Sequence, residues 1–351
     1  AIRGVEMNSG RNKMTFFSTA TKKAARLTLG MALATGIGAA AATSAMAQDI
    51  TLRGASMFDE NHAFTKTMVK FAELVEENYD GDVTFDLRLN GELGVEKDYV
   101  NFLQQGVAID YTIMAPSNMA KFAPAIPLMD MPFLFRDLEH WNKVLSSDAF
   151  APLEAELLEN ADIKIIGYTG GGVRNLVSSA PIRNLEELAG HKMRVMGAPI
   201  QAQIFSALTA APSAIAYNEV YNAIQSGVIA GFENEAASIQ NLKFYEVAPY
   251  VTLTKHTITV RPIVMSGKTF RSLPEDLQAA VLKAGAQAGA FGRELESRED
   301  GIKLQEMVDA GQVIVQEFEG RDALLEMVIP VQDAFAAEIG ATDLLKSVRG
   351  M

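Results

Sequence analysis

From residue 50 onward, runs with the two-residue period of a strand alternate with runs at helical spacing, and that alternation constrains the chain to an α/β fold. Ile50–Gly54 reads as a first strand and Ala55–His62 as a loop. The next stretch is a helix with Phe64, Met68, Phe71 and Val75 along one side. Val83–Leu89 alternates as a second strand. Gly91-Glu92-Leu93-Gly94 then turns the chain into a helix from Glu96 to Gln105 that stops at Gly106, and Ala108–Met114 reads as a third strand. Pro124–Phe135 reads as a packed apolar loop. Ile163–Tyr168 is another strand, with Gly170-Gly171-Gly172 as a flexible loop at its end. A short acidic helix over Asn184–Ala189 precedes a strand over Lys192–Met196. Asn218 is expected to cap a helix through Val220, Tyr221 and Ile224 to Gly227. Ser272 and Glu275 have capping-box spacing with Pro274 in the first turn, which opens the longest helix, reaching Met307.

Residues 1–47 read as a leader to be removed. Lys22, Lys23 and Arg26 precede an apolar run from Leu27 to Ala42, and Ala45-Met46-Ala47 forms a small-x-small cleavage site before Gln48. The run is shorter than the about 20 residues needed to span a bilayer, so a membrane anchor is the weaker reading. Met14 reads as the true start. The whole chain of 351 residues carries a formal charge of −12, and the part after the leader carries 25 basic and 42 acidic residues, or −17. An acidic chain of this kind is a poor nucleic-acid binder, because neutralising phosphates takes clustered Lys and Arg. It has no cysteine, which excludes disulfides, thiolate metal sites and cysteine nucleophiles. The expectation is an exported, periplasmic protein without direct membrane insertion.

Motifs for catalysis are weak. No two of the four histidines (His62, His140, His191, His256) stand at i, i+4, so no zinc-enzyme signature exists. The triple glycine lacks both the P-loop Lys-Ser/Thr and the GxGxxG spacing, and Asp80-Gly81-Asp82 fails as a calcium loop because Phe85 stands where Gly is required. No GxSxG elbow is present. No cofactor or metal is expected. What remains is a pair of arginines beside glycine, Arg174 in Gly-Gly-Gly-Val-Arg-Asn and Arg194 in Gly-His-Lys-Met-Arg-Val-Met. Strand alternation sends Met193 and Val195 toward a core and Arg194 the opposite way. From the residues alone, solvation or ordinary ion pairing of both arginines stays open.

Leu188-Ala-Gly-His-Lys-Met-Arg-Val195 resembles the L-x-G-x-K-x-R-V signature of the solute receptors of tripartite ATP-independent periplasmic (TRAP) transporters, the DctP-like family. Gly91-Glu-Leu-Gly-Val-Glu96, Met131-Pro-Phe-Leu-Phe135, Asn218–Gly227, Gly231-Phe-Glu-Asn-Glu235, Lys243–Val247, Leu253–His256 and Leu273–Leu277 follow in the family's order across the chain.

The resemblance implies a two-lobed periplasmic binding protein fold with crossing hinge strands and a long helix. Lobe I would comprise 48–171 plus 260–299, and lobe II 172–259 plus 300–351. It implies a receptor that closes on a small anionic organic acid and delivers it to the membrane subunits of a TRAP permease, with no catalysis. Arg194 would grip the ligand carboxylate, a role suited to a planar, always-ionised fork. Arg174 would be a second arginine, Asn234 would supply an amide and Tyr217 an aromatic wall. Glu96 and Asn118 would contact hydroxyls, with Asn61 and His62 as weaker candidates. Phe232 and Glu235 depart from the family's common Asp-Gly-Gln-Glu-Asn-Pro run, and Ala115-Pro116 stands where the sialic-acid branch has an acidic side chain, which points to a smaller sugar acid or hydroxy-acid. The competing readings are an exported sugar-acid enzyme, for which His62 with Glu96 is the acid–base pair on offer, and a binding protein of an ATP-driven transporter or sensor.

Overall fold

A computed structural model describes residues 13–15 and 50–351; the leader and its cleavage site otherwise lie outside the described residues. The strands are β1 (Lys13–Thr15), β2 (Ile50–Ala55), β3 (Val83–Arg88), β4 (Tyr111–Ile113), β5 (Ile163–Ser178), β6 (Lys192–Val195), β7 (Ala211–Ala214), β8 (Gly231–Asn234), β9 (Tyr250–Ser266) and β10 (Ile314–Glu317). The helices are α1 (Ala63–Asn78), α2 (Glu96–Gln105), α3 (Leu138–Leu145), α4 (Ala151–Ala161), α5 (Leu185–Leu188), α6 (Pro199–Ala207), α7 (Val220–Gln225), α8 (Ala236–Asn241), α9 (Gly267–Ser272), α10 (Glu275–Asp309), α11 (Arg321–Glu338) and α12 (Thr342–Gly350).

The strands form one mixed sheet in the order β1-β3-β2-β4-β9-β5-β8-β6-β7, with β10 beside β9. Two long antiparallel strands carry the architecture. The end of β9 pairs with β4 (Tyr111 opposite Met265), whereas its start pairs with β10 (Tyr250 opposite Ile314). Likewise the far end of β5 pairs with β8 (Asn175 opposite Asn234). One half of each long strand therefore completes the β2–β3–β4 set and the other half completes the β6–β7–β8 set. Helix α1 buries Phe64, Met68, Phe71 and Val75 against the first set, as its spacing requires, and Val177, Phe232 and Phe244 form the corresponding core of the second. Helix α12 returns to α3, where His140 Nε2 bonds the Val348 carbonyl at 2.7 Å.

Four expectations change. Gly170–Gly172 is not a loop: β5 runs straight through it, because Gly170 (φ 117°) and Gly171 (φ 120°) take up backbone geometry closed to other residues and bulge the β5–β9 ladder there. The third strand is shorter than expected, since Ala108 turns the chain at φ 61°. Ser272 ends α9 by donating to the Thr269 carbonyl at 2.7 Å, so no capping box forms, and α10 starts after Pro274 without a side-chain cap. Asn218 likewise lies in a short 3-10 turn over Tyr217–Glu219 and does not cap α7.

Helix α10 crosses both halves. Its small-residue stripe (Ala284, Gly285, Ala288, Gly289, Gly292) lies directly on the backbone of β5; a Cβ at Gly289 would sit 2.5 Å from the Tyr168 carbonyl. Farther along, Asp300 accepts from the backbone N–H of Val173 and of Ala236, each at 3.0 Å, and so ties the helix to β5 and to the first turn of α8.

Candidate functional site

Parallel strands set the position of the cavity. In an open α/β sheet, ligands collect beyond the carboxyl ends of the strands, where loops leave backbone and side chains free. Here two parallel sets, β2–β3–β4 and β6–β7–β8, direct those ends at one cavity of about 530 Å³. Met57 and Phe58 follow β2, Val95 and Glu96 follow β3, and Ala115, Ser117 and Asn118 follow β4. Met196 follows β6, Ile215 and Tyr217 follow β7, and Glu235 and Ser238 follow β8. Arg174 and Arg261 enter from the two long strands.

Of the residues expected at the site, Arg194, Arg174, Asn234, Glu96, Tyr217 and Asn118 all line this cavity. Arg194 projects as strand alternation requires, with Met193 and Val195 buried in the core on the other face of β6. Only 4% of Arg194 is exposed, and it makes no ion pair among the described residues. Its Nε donates to the Ile215 carbonyl at 3.0 Å and its guanidinium lies 5.3 Å from the Tyr217 ring centre. Both Nη groups are left for the cavity. Burial lowers its pKa, with Arg174 adding to that effect and Glu233 opposing it. Tyr217 is held by a 2.6 Å bond from Asn234 Nδ2. Glu96 Oε2 accepts from the Ala115 N–H and from Asn118 Nδ2, both at 2.7 Å, so these two polar candidates form one rigid wall.

Arg174 needs correction as a free ligand-gripping group. Its Nε and Nη2 are both engaged by the Glu233 carboxylate, Nη2 lying 2.8 Å from Oε1, and its Nη1 reaches Glu235 Oε2 at 2.6 Å. Burial alone would lower its pKa, but the two carboxylates outweigh that and raise it. Glu233 goes the opposite way, held below its ordinary value by Arg174 and His256 against the effect of burial. Arg174 is thus already neutralised.

Asn61 is corrected as well: it is exposed, does not line the cavity, and turns outward because Asp59 Oδ1 holds its backbone N–H at 2.9 Å. His62 turns inward, caps α1 through Nδ1 and stacks on Phe58 with ring centres 3.8 Å apart. Its Nε2 meets Ser238 Oγ at 3.3 Å, not Glu96. Burial pushes the imidazole down to about 3. A group with a depressed folded pKa leaves the unfolded chain binding more protons below the ordinary value of 6.5, so this histidine costs stability as pH falls through that point. Going from pH 7 to pH 5, urea unfolding is expected to show the wild type losing about 2 kcal/mol more than a His62→Asn variant. Parallel curves for the two proteins would contradict the buried, neutral imidazole.

Sequence reasoning missed Arg261. The signal available was a lone charge within the apolar run Ile258–Met265 of β9. It also treated Glu235 only as a change of wall shape, whereas the side chain is a buried partner of Arg174 that also accepts a bond from Ser238 Oγ. The assembled site is concave. One guanidinium is open for a carboxylate, and amide, carboxylate and phenol groups stand ready for hydroxyls.

The chain as a whole has known relatives. Residues 55–338 match the model of "Bacterial extracellular solute-binding protein, family 7" (DctP). A solute-binding protein of Sulfitobacter sp. (strain NAS-14.1) is 76% identical over 336 residues, covering 96% of this chain and 99% of that one. A crystal structure of a TRAP periplasmic solute-binding protein from Sulfitobacter sp. NAS-14.1 with bound α-D-taluronate superposes with a TM-score of 0.85 at 81% identity, covering 86% of this chain and 97% of that one. A second Sulfitobacter sp. NAS-14.1 receptor, crystallised with β-D-galacturonate, gives a TM-score of 0.79 at 28% identity, covering 86% of this chain and all of that one (100%).

Proposed function

The chain belongs to the DctP family of bacterial extracellular solute-binding proteins, and from that premise we propose that it is a periplasmic receptor for a hexuronate, captured by closure and passed to a TRAP permease. The observation that carries this reading is the Arg194 guanidinium, buried, without an ion pair among the described residues and open to the cavity. A desolvated cation in that position is stabilised by an anion that brings a matching pair of oxygens. The 81% identity to a receptor holding α-D-taluronate supports a six-carbon uronate in particular.

The ligand carboxylate docks on the Nη groups of Arg194 while its ring lies along Tyr217, Met57 and Phe58. Hydroxyls meet Glu96 and Asn118 on one side and Asn234 on the other. Those contacts belong to two strand sets, so a ligand that touches both shifts the equilibrium toward the closed form. Lobe I comprises 48–171 plus 260–299, lobe II comprises 172–259 plus 300–351, and the bulged stretch of β5 at Gly170–Val173 is where they hinge. With −17 on the chain after the leader, attraction of an anion has to be local to the cavity. The leader is cleaved after Ala47 and the remainder works in the periplasm; among the described residues no helix is long and apolar enough to cross a membrane.

Calorimetry on the purified protein against D-taluronate, D-galacturonate, an aldonate, a C4-dicarboxylate and a neutral hexose tests the reading. Sub-micromolar binding of a hexuronate, with the neutral hexose at least about 1,000-fold weaker, is expected from a charge-assisted bidentate contact. Equal binding of the neutral hexose would overturn it.

A further inference from the structure

We infer that Arg261 and Glu235 form a second station in the cavity that reads ligand hydroxyls, and that this pair restricts the receptor to acids carrying a single carboxylate; the inference rests on the receptor reading above. Arg261 is only 6% exposed yet nearly unpartnered. Its Nη1 reaches the carbonyl of its neighbour Val260 at 3.2 Å, and its Nε is buried with no partner among the described residues. No ion pair involves it among the described residues, and its guanidinium rests 5.5 Å from the Phe64 ring centre, one edge toward the cavity. Buried donors left unmade cost about 1–3 kcal/mol each, so an oxygen arriving there is strongly favoured.

Charge decides which oxygen. Arg174 carries one positive charge against the two carboxylates of Glu233 and Glu235, which leaves one negative charge over in that wall. Arg261 balances it through space, and Asp130 adds a further carboxyl whose field Arg261 also feels. A second ligand carboxylate placed at Arg261 would meet Glu235 without compensation, and like charges in a dry wall repel strongly. A hydroxyl meets no such penalty: it accepts from the guanidinium and donates to Glu235, whose lone pairs are only partly used by Arg174 and Ser238. The carboxylate is therefore taken at Arg194 and the far hydroxyls at Arg261 and Glu235.

Calorimetric titration with D-taluronate and with a hexarate, oxidised to a carboxylate at both ends, tests this on wild type, Arg261→Gln and Glu235→Gln. Arg261→Gln is expected to bind D-taluronate about 30-fold more weakly, the loss of one charge-assisted bond. Glu235→Gln is expected to raise hexarate affinity relative to D-taluronate at least about tenfold. Arg261→Lys keeps the charge without the fork; if the Gln variant fails to fold, a loss of about tenfold in Arg261→Lys carries the same conclusion. Wild-type binding of D-taluronate with Arg261→Gln within threefold of it and an unchanged hexarate ratio in Glu235→Gln would overturn this inference alone. A wild type that binds no hexuronate would overturn the receptor reading and this inference with it.

Discussion

Arg194→Ala is expected to lose about 1,000-fold in hexuronate affinity while the ligand-free protein melts within a few degrees of wild type. The two halves of that statement have one cause. Arg194 is desolvated and among the described residues has no carboxylate partner, being held by the Ile215 carbonyl and the Tyr217 ring, so its removal takes away a desolvated charge rather than a structural pair. The ligand, in contrast, loses the fork that takes its carboxylate. Arg194→Lys keeps a point charge and is expected to recover part of the loss. Arg174→Ala should behave in the opposite manner: Glu233 and Glu235 are left buried and unpaired, and the ligand-free protein is destabilised by about 3–5 kcal/mol. Calorimetry and thermal melts on both variants check this. D-taluronate binding by Arg194→Ala within tenfold of wild type would end the assignment.

The second large effect lies along the long helix. Gly285→Val is expected to destabilise the protein by about 3 kcal/mol or more, because a Cβ there overlaps the Ile166 carbonyl and neither backbone can move without parting α10 from β5. A drop of about 6 °C in melting temperature follows for a domain of this size. Gly301, on the same helix, has nothing within 4 Å of the place where its Cβ would stand. Gly301→Ala is therefore expected to stabilise by about 0.5–1 kcal/mol through helix propensity alone. Urea unfolding of the two variants should give opposite signs; two losses of similar size would show that the helix seam is not tight where the geometry puts it.

Local signals carried the parts of the fold that local physics controls. Helix α2 spans Glu96–Gln105 and ends at Gly106 in the left-handed region (φ 65°), as a glycine after the last periodic residue predicts. The alternation at 192–196 placed Arg194 opposite a buried Met193 and Val195 because the strand period is a covalent fact. The misreadings come from contacts that neighbouring residues cannot announce. Arg174 is satisfied by carboxylates 59 and 61 positions away, across the β5–β8 ladder. The triple glycine looks like a flexible loop until the backbones of α10 and β9 are laid against it, where a side chain would collide. Arg261 was hidden by its surroundings: an apolar strand suggests core, and only the arrangement of the second strand set reveals that this position opens onto a cavity.

Strands β5 and β9 serve both halves of the sheet, and this governs how the chain reaches its native state. Tyr111 waits for Met265, some 150 positions downstream, before β4 has its second neighbour. Neither half is a foldon that could be excised, and a fragment ending before residue 250 would expose an unpaired edge prone to self-association. Pairing over such sequence separation makes folding slow, because long loops must close before these contacts form. For a receptor exported as proposed above, late closure of the sheet keeps the chain threadable until its last third is made.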